Sequence, residues 1–268
     1  MKNRFQRTLK HLSHRVIPPA VLKHQIAWRN WRRGEAEIRY LKNLVDPNRA
    51  AIDVGAYLGA YTYFLARLAP AVYAFEPQQS CYQFLSRAYT KPVYIYPCAL
   101  SNHEGVVGMR NGGDAMPNQG ASLITGQKTN QHTNSVGDSS NQNGNQNGDQ
   151  NSESLVNVQV KRLDSFELNN IGFIKIDAEG EETNVLDGAE HTIAKNMPCL
   201  LIEIEQRHRQ DDIYDVFSQI EALGYQGEYL LEGERHALQT FSVEHHQQAR
   251  LAGDKNMPYI NNFIFRVK

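Results

Sequence analysis

The sequence predicts an α/β fold: a doubly wound, Rossmann-like, mostly parallel sheet of about seven strands, with an antiparallel hairpin at one edge. Three observations predict it. Short apolar runs alternate with segments of helical periodicity from Ala50 onward. Several of those runs end in an acid, at Asp53, Glu76 and Asp177. The last two runs, Tyr225 to Leu231 and Ile260 to Val267, have no helical pattern between them. Repeated strand–helix units place strands in parallel, whereas strands joined without a helix pair antiparallel.

Each element has its own signal. Ala50 to Val54 is a buried strand, and Tyr57 to Leu68 has helical apolar spacing that Pro70 ends. Ala71 to Phe75 predicts the next strand, Gln78 to Tyr89 the next helix and Val93 to Tyr96 a third strand. Val156 to Val160 alternates as an edge strand does, and Phe173 to Asp177 is a buried strand ending in charge. Glu181 to Lys195 predicts one helix, with Val185, Leu186, Ala189 and Ile193 on a common face. Cys199 to Ile204 is a strand, and Ile213 to Leu223 a helix stopped by Gly224.

The 268 residues suffice for one such domain with a full core. Lys and Arg number 28 against 29 Asp and Glu, so the net charge implies no polyanionic partner such as nucleic acid. No apolar run is long enough to span a bilayer and no secretory leader is evident, so a cytoplasmic location is expected. Cys81, Cys98 and Cys199 form no metal or redox spacing and read as reduced core thiols. The domain proper is expected over 35–268, interrupted at about 126–154 by a disordered Asn/Gln/Gly-rich insertion. Residues 1–34 form a basic arm with nine Lys or Arg and no acid. It is expected to pack its tryptophans on the domain; the alternative is peripheral contact with anionic lipid that brings lipid-linked substrates near.

The glycine turn speaks to the cofactor. Gly55 and Gly59 are separated by Ala-Tyr-Leu, and Tyr57 occupies the place where a dinucleotide fingerprint needs its middle glycine. That disfavours an NAD-dependent oxidoreductase. Glu76, about twenty residues further on, suits a carboxylate bond to ribose hydroxyls. Asp53, Glu76, Asp177 and Glu203 or Glu205 all fall near strand ends, and acids gathered at one sheet edge need a ligand or cation to offset their desolvation.

Read in order, Asp53-Val-Gly-Ala-Tyr-Leu-Gly-Ala-Tyr-Thr62, Phe75-Glu-Pro77, Ala99-Leu-Ser-Asn102, Gly120-Ala-Ser-Leu123, Phe173-Ile-Lys-Ile-Asp-Ala-Glu-Gly-Glu181, Val185-Leu-Asp-Gly-Ala189 and Leu201-Ile-Glu203 resemble the FkbM family of methyltransferases. The resemblance implies a class I methyltransferase fold, S-adenosylmethionine as cofactor, and methyl transfer to a hydroxyl of a sugar, glycan or natural product. It assigns Asp53, Gly55, Ala56 and Gly59 to the methionine end, Glu76 to the ribose, and Pro77 and Ala99 to the adenine. Tyr57 departs from the family, which commonly has Asn there. Asp177 matches the motif beside the methyl group. A base helps an alcohol attack in line, and Asp177, Glu179, His208 and Lys175 are its candidates. Glu179 also suits a helix start, and Lys175 an ion pair. Mg²⁺ on Asp177 with Glu203 or Glu205 is a secondary option, not favoured. Tyr229 and Tyr259 are candidates to stack on a sugar ring. A non-catalytic adenosine-binding module is the remaining alternative.

Overall fold

In the computed structural model, which describes residues 17–33, 35–111 and 154–268, the chain opens with helices α1 (Pro19–Arg33) and α2 (Ala36–Tyr40). Strand–helix units follow: β1 (Ala50–Val54), α3 (Ala60–Leu68), β2 (Val72–Phe75), α4 (Gln79–Ala88) and β3 (Val93–Tyr96). Then come β4 (Ala99–Leu100), β5 (Gly105–Asn111) and β6 (Ser154–Lys161). The second half contains β7 (Ile171–Ile176), α5 (Glu182–Asp187), α6 (Glu190–Asn196), β8 (Cys199–Glu203), α7 (Ile213–Ala222), β9 (Tyr225–Leu231), β10 (Glu234–Ala237) and β11 (Asn262–Val267). The expected insertion lies outside the described residues, apart from Ser154 at the start of β6.

The main sheet has eight strands in the order β10-β9-β11-β8-β7-β1-β2-β3. From β8 to β3 the neighbours are parallel. Every position of β1 and β7 is buried, as strands covered on both faces require. Ile52, Ile174 and Ile202 belong to the core on one face, and Ala51, Phe173 and Leu201 to the core on the other. The strand order reverses between β1, which leads to β2, and its other neighbour β7. Ligands of open α/β sheets bind outside the carboxyl ends at such a reversal.

Several expectations need correction. The helix after the glycine turn starts at Ala60 rather than Tyr57, because Tyr57 and Gly59 have φ of +48° and +77°. Left-handed residues cannot continue a right-handed helix. The antiparallel edge is not a simple hairpin of the last two strands. Instead β11 enters between β8 and β9, antiparallel to both, and β10 forms the hairpin with β9. Val156 to Val160 belongs not to this sheet but to a separate three-stranded one, ordered β4-β6-β5.

The single helix expected over 181–195 is two helices, broken at Gly188. There the backbone lies so close to β4 that a Cβ on Gly188 would sit 2.0 Å from the Ser101 carbonyl oxygen. Tyr229 is 2% exposed and packs in the core, its hydroxyl within 3.0 Å of Thr240 Oγ1, so it offers no sugar platform. The arm also departs from expectation. Helix α1 docks on α3 and α4 through Leu22 and Ala27, while Trp28 and Trp31 face outward. Cys81 and Cys98 are buried and Cys199 is half-buried, all unpaired, and burial raises all three thiol pKa values.

Because Gly188 has an ordinary negative φ of −74°, its substitution tests close packing rather than backbone strain. Gly188→Ala is expected to lower stability in urea by about 1–3 kcal/mol through overpacking. Unchanged stability would remove the close contact between Gly188 and Ser101.

Candidate active site

The turn from Gly55 to Gly59 is shaped by what lies next to it. Gly55, at φ +74°, passes so close to the end of β7 that a Cβ would be 1.9 Å from the Asp177 carbonyl oxygen. Gly55 and Ala56 both donate their amides to the Phe75 carbonyl, at 3.0 and 3.1 Å. Tyr89 closes the far side by donating to the Gly59 carbonyl at 3.0 Å. The turn therefore joins β1, β2 and β7 at one carboxyl edge.

Two acids flank it. Asp53 is wholly buried and accepts from Thr62 Oγ1 at 2.5 Å through Oδ2, while its Oδ1 is buried without a donor. Burial raises its pKa, against the pull of Lys175. Glu76 is also buried and accepts the Tyr57 amide at 2.6 Å and the Gln78 amide at 2.7 Å, one on each oxygen. Burial pushes its carboxyl up to about 7 despite those amides. Each oxygen of Glu76 keeps a further lone pair. An orphaned buried acceptor at Asp53 and a carboxylate with spare acceptor capacity at Glu76, on either side of the turn, fit a methionine tail and a ribose. Pro77 follows Glu76, and Ala99 lies three residues beyond the end of β3, the strand next to β2.

Lys175 stands opposite Asp53 in the β1–β7 register and is only 3% exposed. Its ammonium donates to Asp177 Oδ2 at 2.6 Å and lies 4.9 Å from the centre of the Tyr61 ring. Burial alone would lower its pKa, but the carboxylates of Asp177, Asp53 and Glu35 hold it above the usual lysine value. Lys175 is thus the cation of an ion pair with Asp177. Tyr61 in turn donates its hydroxyl to Glu35 at the foot of α2.

Beyond Asp177 the chain turns through Glu179, at φ +47°, and Gly180, at φ +96°. His208, in the short helical turn after β8, places Nε2 3.4 Å from Glu179 Oε2 and 3.6 Å from Glu205 Oε2. Burial, then the Asp177 charge, raises the pKa of Glu179. The same two causes raise Glu203 at the end of β8. Burial opposes ionisation of Glu205 as well, but donors from Tyr259, Arg207 and Asn261 hold it below the usual carboxylate value. Asn261 binds both members of this pair, at 2.6 Å to Glu203 and 3.1 Å to Glu205. Among the described residues, no group of three or more His, Cys, Asp or Glu is arranged to hold a metal ion.

A cavity of about 530 Å³ opens beside this pair. Glu35 and Glu37 line it from α2, Leu231 and Glu232 from the end of β9, and Tyr259 and Asn261 from the approach to β11. Its size suits a small-molecule ligand. Glu35, Glu37, Thr62 and Asn261 join the site without being among the residues expected from the sequence. Only Tyr259 was singled out, and it meets Glu205 through its hydroxyl at 2.6 Å. The candidate cofactor and catalytic residues, by contrast, lie within five residues of the carboxyl ends of β1, β2, β3, β7 and β8.

Residues 53–226 match the family model described as the methyltransferase FkbM domain. No curated protein matches the chain in sequence. Among solved structures, it is similar to a methyltransferase FkbM from Methylobacillus flagellatus KT at 17% identity, with a TM-score of 0.49. That match covers 98% of this chain and 59% of the other, so the chain spans somewhat over half the length of that relative. An rRNA methylase from Streptococcus thermophilus shares 14% identity over 87% of this chain and 95% of its own, with a TM-score of 0.44. A precorrin-6y C5,15-methyltransferase from Geobacter metallireducens GS-15 shares 8% identity over 87% of each chain, with a TM-score of 0.43.

The buried carboxyl of Glu76 binds its proton more tightly in the folded protein than in the unfolded chain, where its ordinary pKa is 4.5. Its contribution to stability is therefore full below about 4.5 and is lost as pH rises to about 7. Between pH 5 and 8 the ligand-free protein should lose about 1–3 kcal/mol more stability than Glu76→Gln, read from urea unfolding at each pH. Parallel pH profiles for the two proteins would contradict the raised pKa.

Proposed function

Because the chain belongs to the FkbM family of S-adenosylmethionine-dependent methyltransferases, we propose that it methylates a hydroxyl oxygen of a small polyhydroxylated acceptor, a sugar, glycan or natural product. The observation that carries this reading is the meeting of two different sites at one sheet edge. Asp53, the glycine turn and Glu76 form a cradle over β1 and β2. The Glu35–Asn261 cavity lies over the β11 and β9 half. Asp177, Glu179 and His208 stand between them.

Asp53, Gly55, Ala56 and Gly59 would hold the methionine end of S-adenosylmethionine, Glu76 its ribose, and Pro77 and Ala99 would flank the adenine. Bound there, the cofactor supplies an electrophilic sulfonium methyl group. Everything else falls to the chain's own residues. Asp177, fixed by Lys175, orients the acceptor hydroxyl. Glu179 Oε2 takes its proton, with His208 Nε2 close enough to share it. Burial supports that role, because a carboxyl raised towards neutrality is the stronger base. The left-handed backbone of Glu179 fits the same picture, since strain of this kind concentrates at functional sites. The acid-lined cavity favours neutral or amine-bearing acceptors over phosphates and carboxylates, which it would repel.

An NAD-dependent oxidoreductase is disfavoured by Tyr57 in the turn and by the family match. A non-catalytic module is separated from an enzyme by assay. Formation of S-adenosylhomocysteine should appear when the protein is given S-adenosylmethionine and a panel of neutral sugars, amino sugars and their glycans. Transfer confined to amines, with the new methyl on nitrogen, would overturn the O-methyl reading.

Two substitutions separate binding from chemistry. Glu76→Ala should weaken S-adenosylmethionine at least about a hundredfold in calorimetry, as expected for two lost charge-assisted bonds. Glu179→Gln should keep that affinity and slow kcat by about 10²–10⁴. Normal affinity in the first, or normal turnover in the second, would contradict the assigned role.

A further inference from the structure

Helix α1 (Pro19–Arg33) is amphipathic in an unusual sense, because its outward face carries its largest apolar side chains. Leu22 and Ala27 are buried against the domain, and Lys23 turns inward to donate to the Ala88 carbonyl at 2.5 Å over the Tyr89 ring. Val21, Trp28 and Trp31 point the other way, 50%, 60% and 48% exposed. Arg29, Arg32 and Arg33 are exposed among them. Among the described residues, no carboxylate pairs with any of these three arginines. Nor does the sequence supply an acid anywhere before Glu35, whereas it adds Lys2, Arg4, Arg7, Lys10 and Arg15 upstream.

We propose that this face of α1 docks on an anionic membrane surface. Tryptophan is the residue that sits best at headgroup depth, with its ring in the apolar boundary and its N–H in the wet layer. Arginine stems can lie along that boundary while their guanidinium groups reach lipid phosphates. The two kinds of residue share one face, so a helix lying flat would satisfy both together. Charge complementarity selects the occupant: an unbroken positive face matches an anionic leaflet and not a neutral protein groove. Nucleic acid fits less well, because base stacking needs an open indole face. The Arg32 guanidinium already lies 4.8 Å from the Trp28 ring centre. No helix among the described residues is long and apolar enough to cross a membrane, so the contact would be peripheral.

The test is unusually direct, since Trp28 and Trp31 are the only two tryptophans in the chain. All tryptophan emission of the full-length protein therefore reports this face. Vesicles of mixed phosphatidylglycerol and phosphatidylcholine should shift that emission to the blue, and brominated lipid chains should quench it. The protein should sediment with these vesicles and only weakly with phosphatidylcholine alone, and added salt should release it. Arg32→Glu with Arg33→Glu should weaken binding at least about tenfold, and Trp28→Ser with Trp31→Ser should do the same by sedimentation. Unaltered S-adenosylmethionine affinity and circular dichroism would show that these variants fold. Protein left in the supernatant, or binding indifferent to the charge reversals, would overturn the proposal. So would emission already blue-shifted in buffer, which would mean that residues 1–16 or a second copy cover the face. A shift produced by single-stranded RNA but not by vesicles would replace the lipid with nucleic acid.

Discussion

The candidate site depends on one buried ammonium. Lys175 stands between Asp53 and Asp177 at the carboxyl edge of the sheet, where the parallel strands β1 and β7 bring all three together. Removing one partner of such a group leaves the other buried and uncompensated, at a cost of about 3–5 kcal/mol. The ion pair fixes Asp177 through one oxygen. It also offsets part of the desolvation of Asp53, whose second oxygen has no donor. Tyr61 lies against the same ammonium and ties it to Glu35, the first wall of the cavity. A single cation thus links Asp53, Asp177 and the wall of the cavity at Glu35.

Around that cation the edge is graded in basicity by its surroundings. Glu205 keeps its charge because three donors surround it, whereas Glu203 next to it is raised by burial and by Asp177. Glu179 is raised by the same causes and meets His208. Carboxyls of one chemical kind therefore divide, by position alone, into one held below the usual carboxylate value and others raised above it. The acid cluster and the basic helix α1 also carry opposite charge on one small domain. The near-zero net charge of the whole chain conceals both.

Much of this was legible in the sequence, for physical reasons that differ by element. Strands covered on both faces are almost wholly apolar, so β1 and β8 could be located closely from their runs alone. The acids at strand ends stood out because each interrupts such a run. Features set by tertiary contact were not legible. The late start of the helix after the turn depends on the left-handed Tyr57 and Gly59, and the break at Gly188 on the carbonyl of Ser101, just after β4. The small second sheet was hidden because β5 contains two glycines and β4 has only two residues. Glu35 and Glu37 were missed because α2 precedes the first strand and gives no periodic hint that it folds back over the far half of the sheet. The outward tryptophans were misread because apolar residues in a short helix are ordinarily expected to face the core.

Whether this edge takes the adenosine and methionine parts of a methyl donor, rather than a dinucleotide, is open to direct measurement. Calorimetric titration of the wild-type protein with S-adenosylhomocysteine and, separately, with NAD⁺ tests it most directly. A saturable one-to-one isotherm with S-adenosylhomocysteine and no measurable heat of binding with NAD⁺ are expected. Saturable binding of NAD⁺ with none of S-adenosylhomocysteine would contradict it.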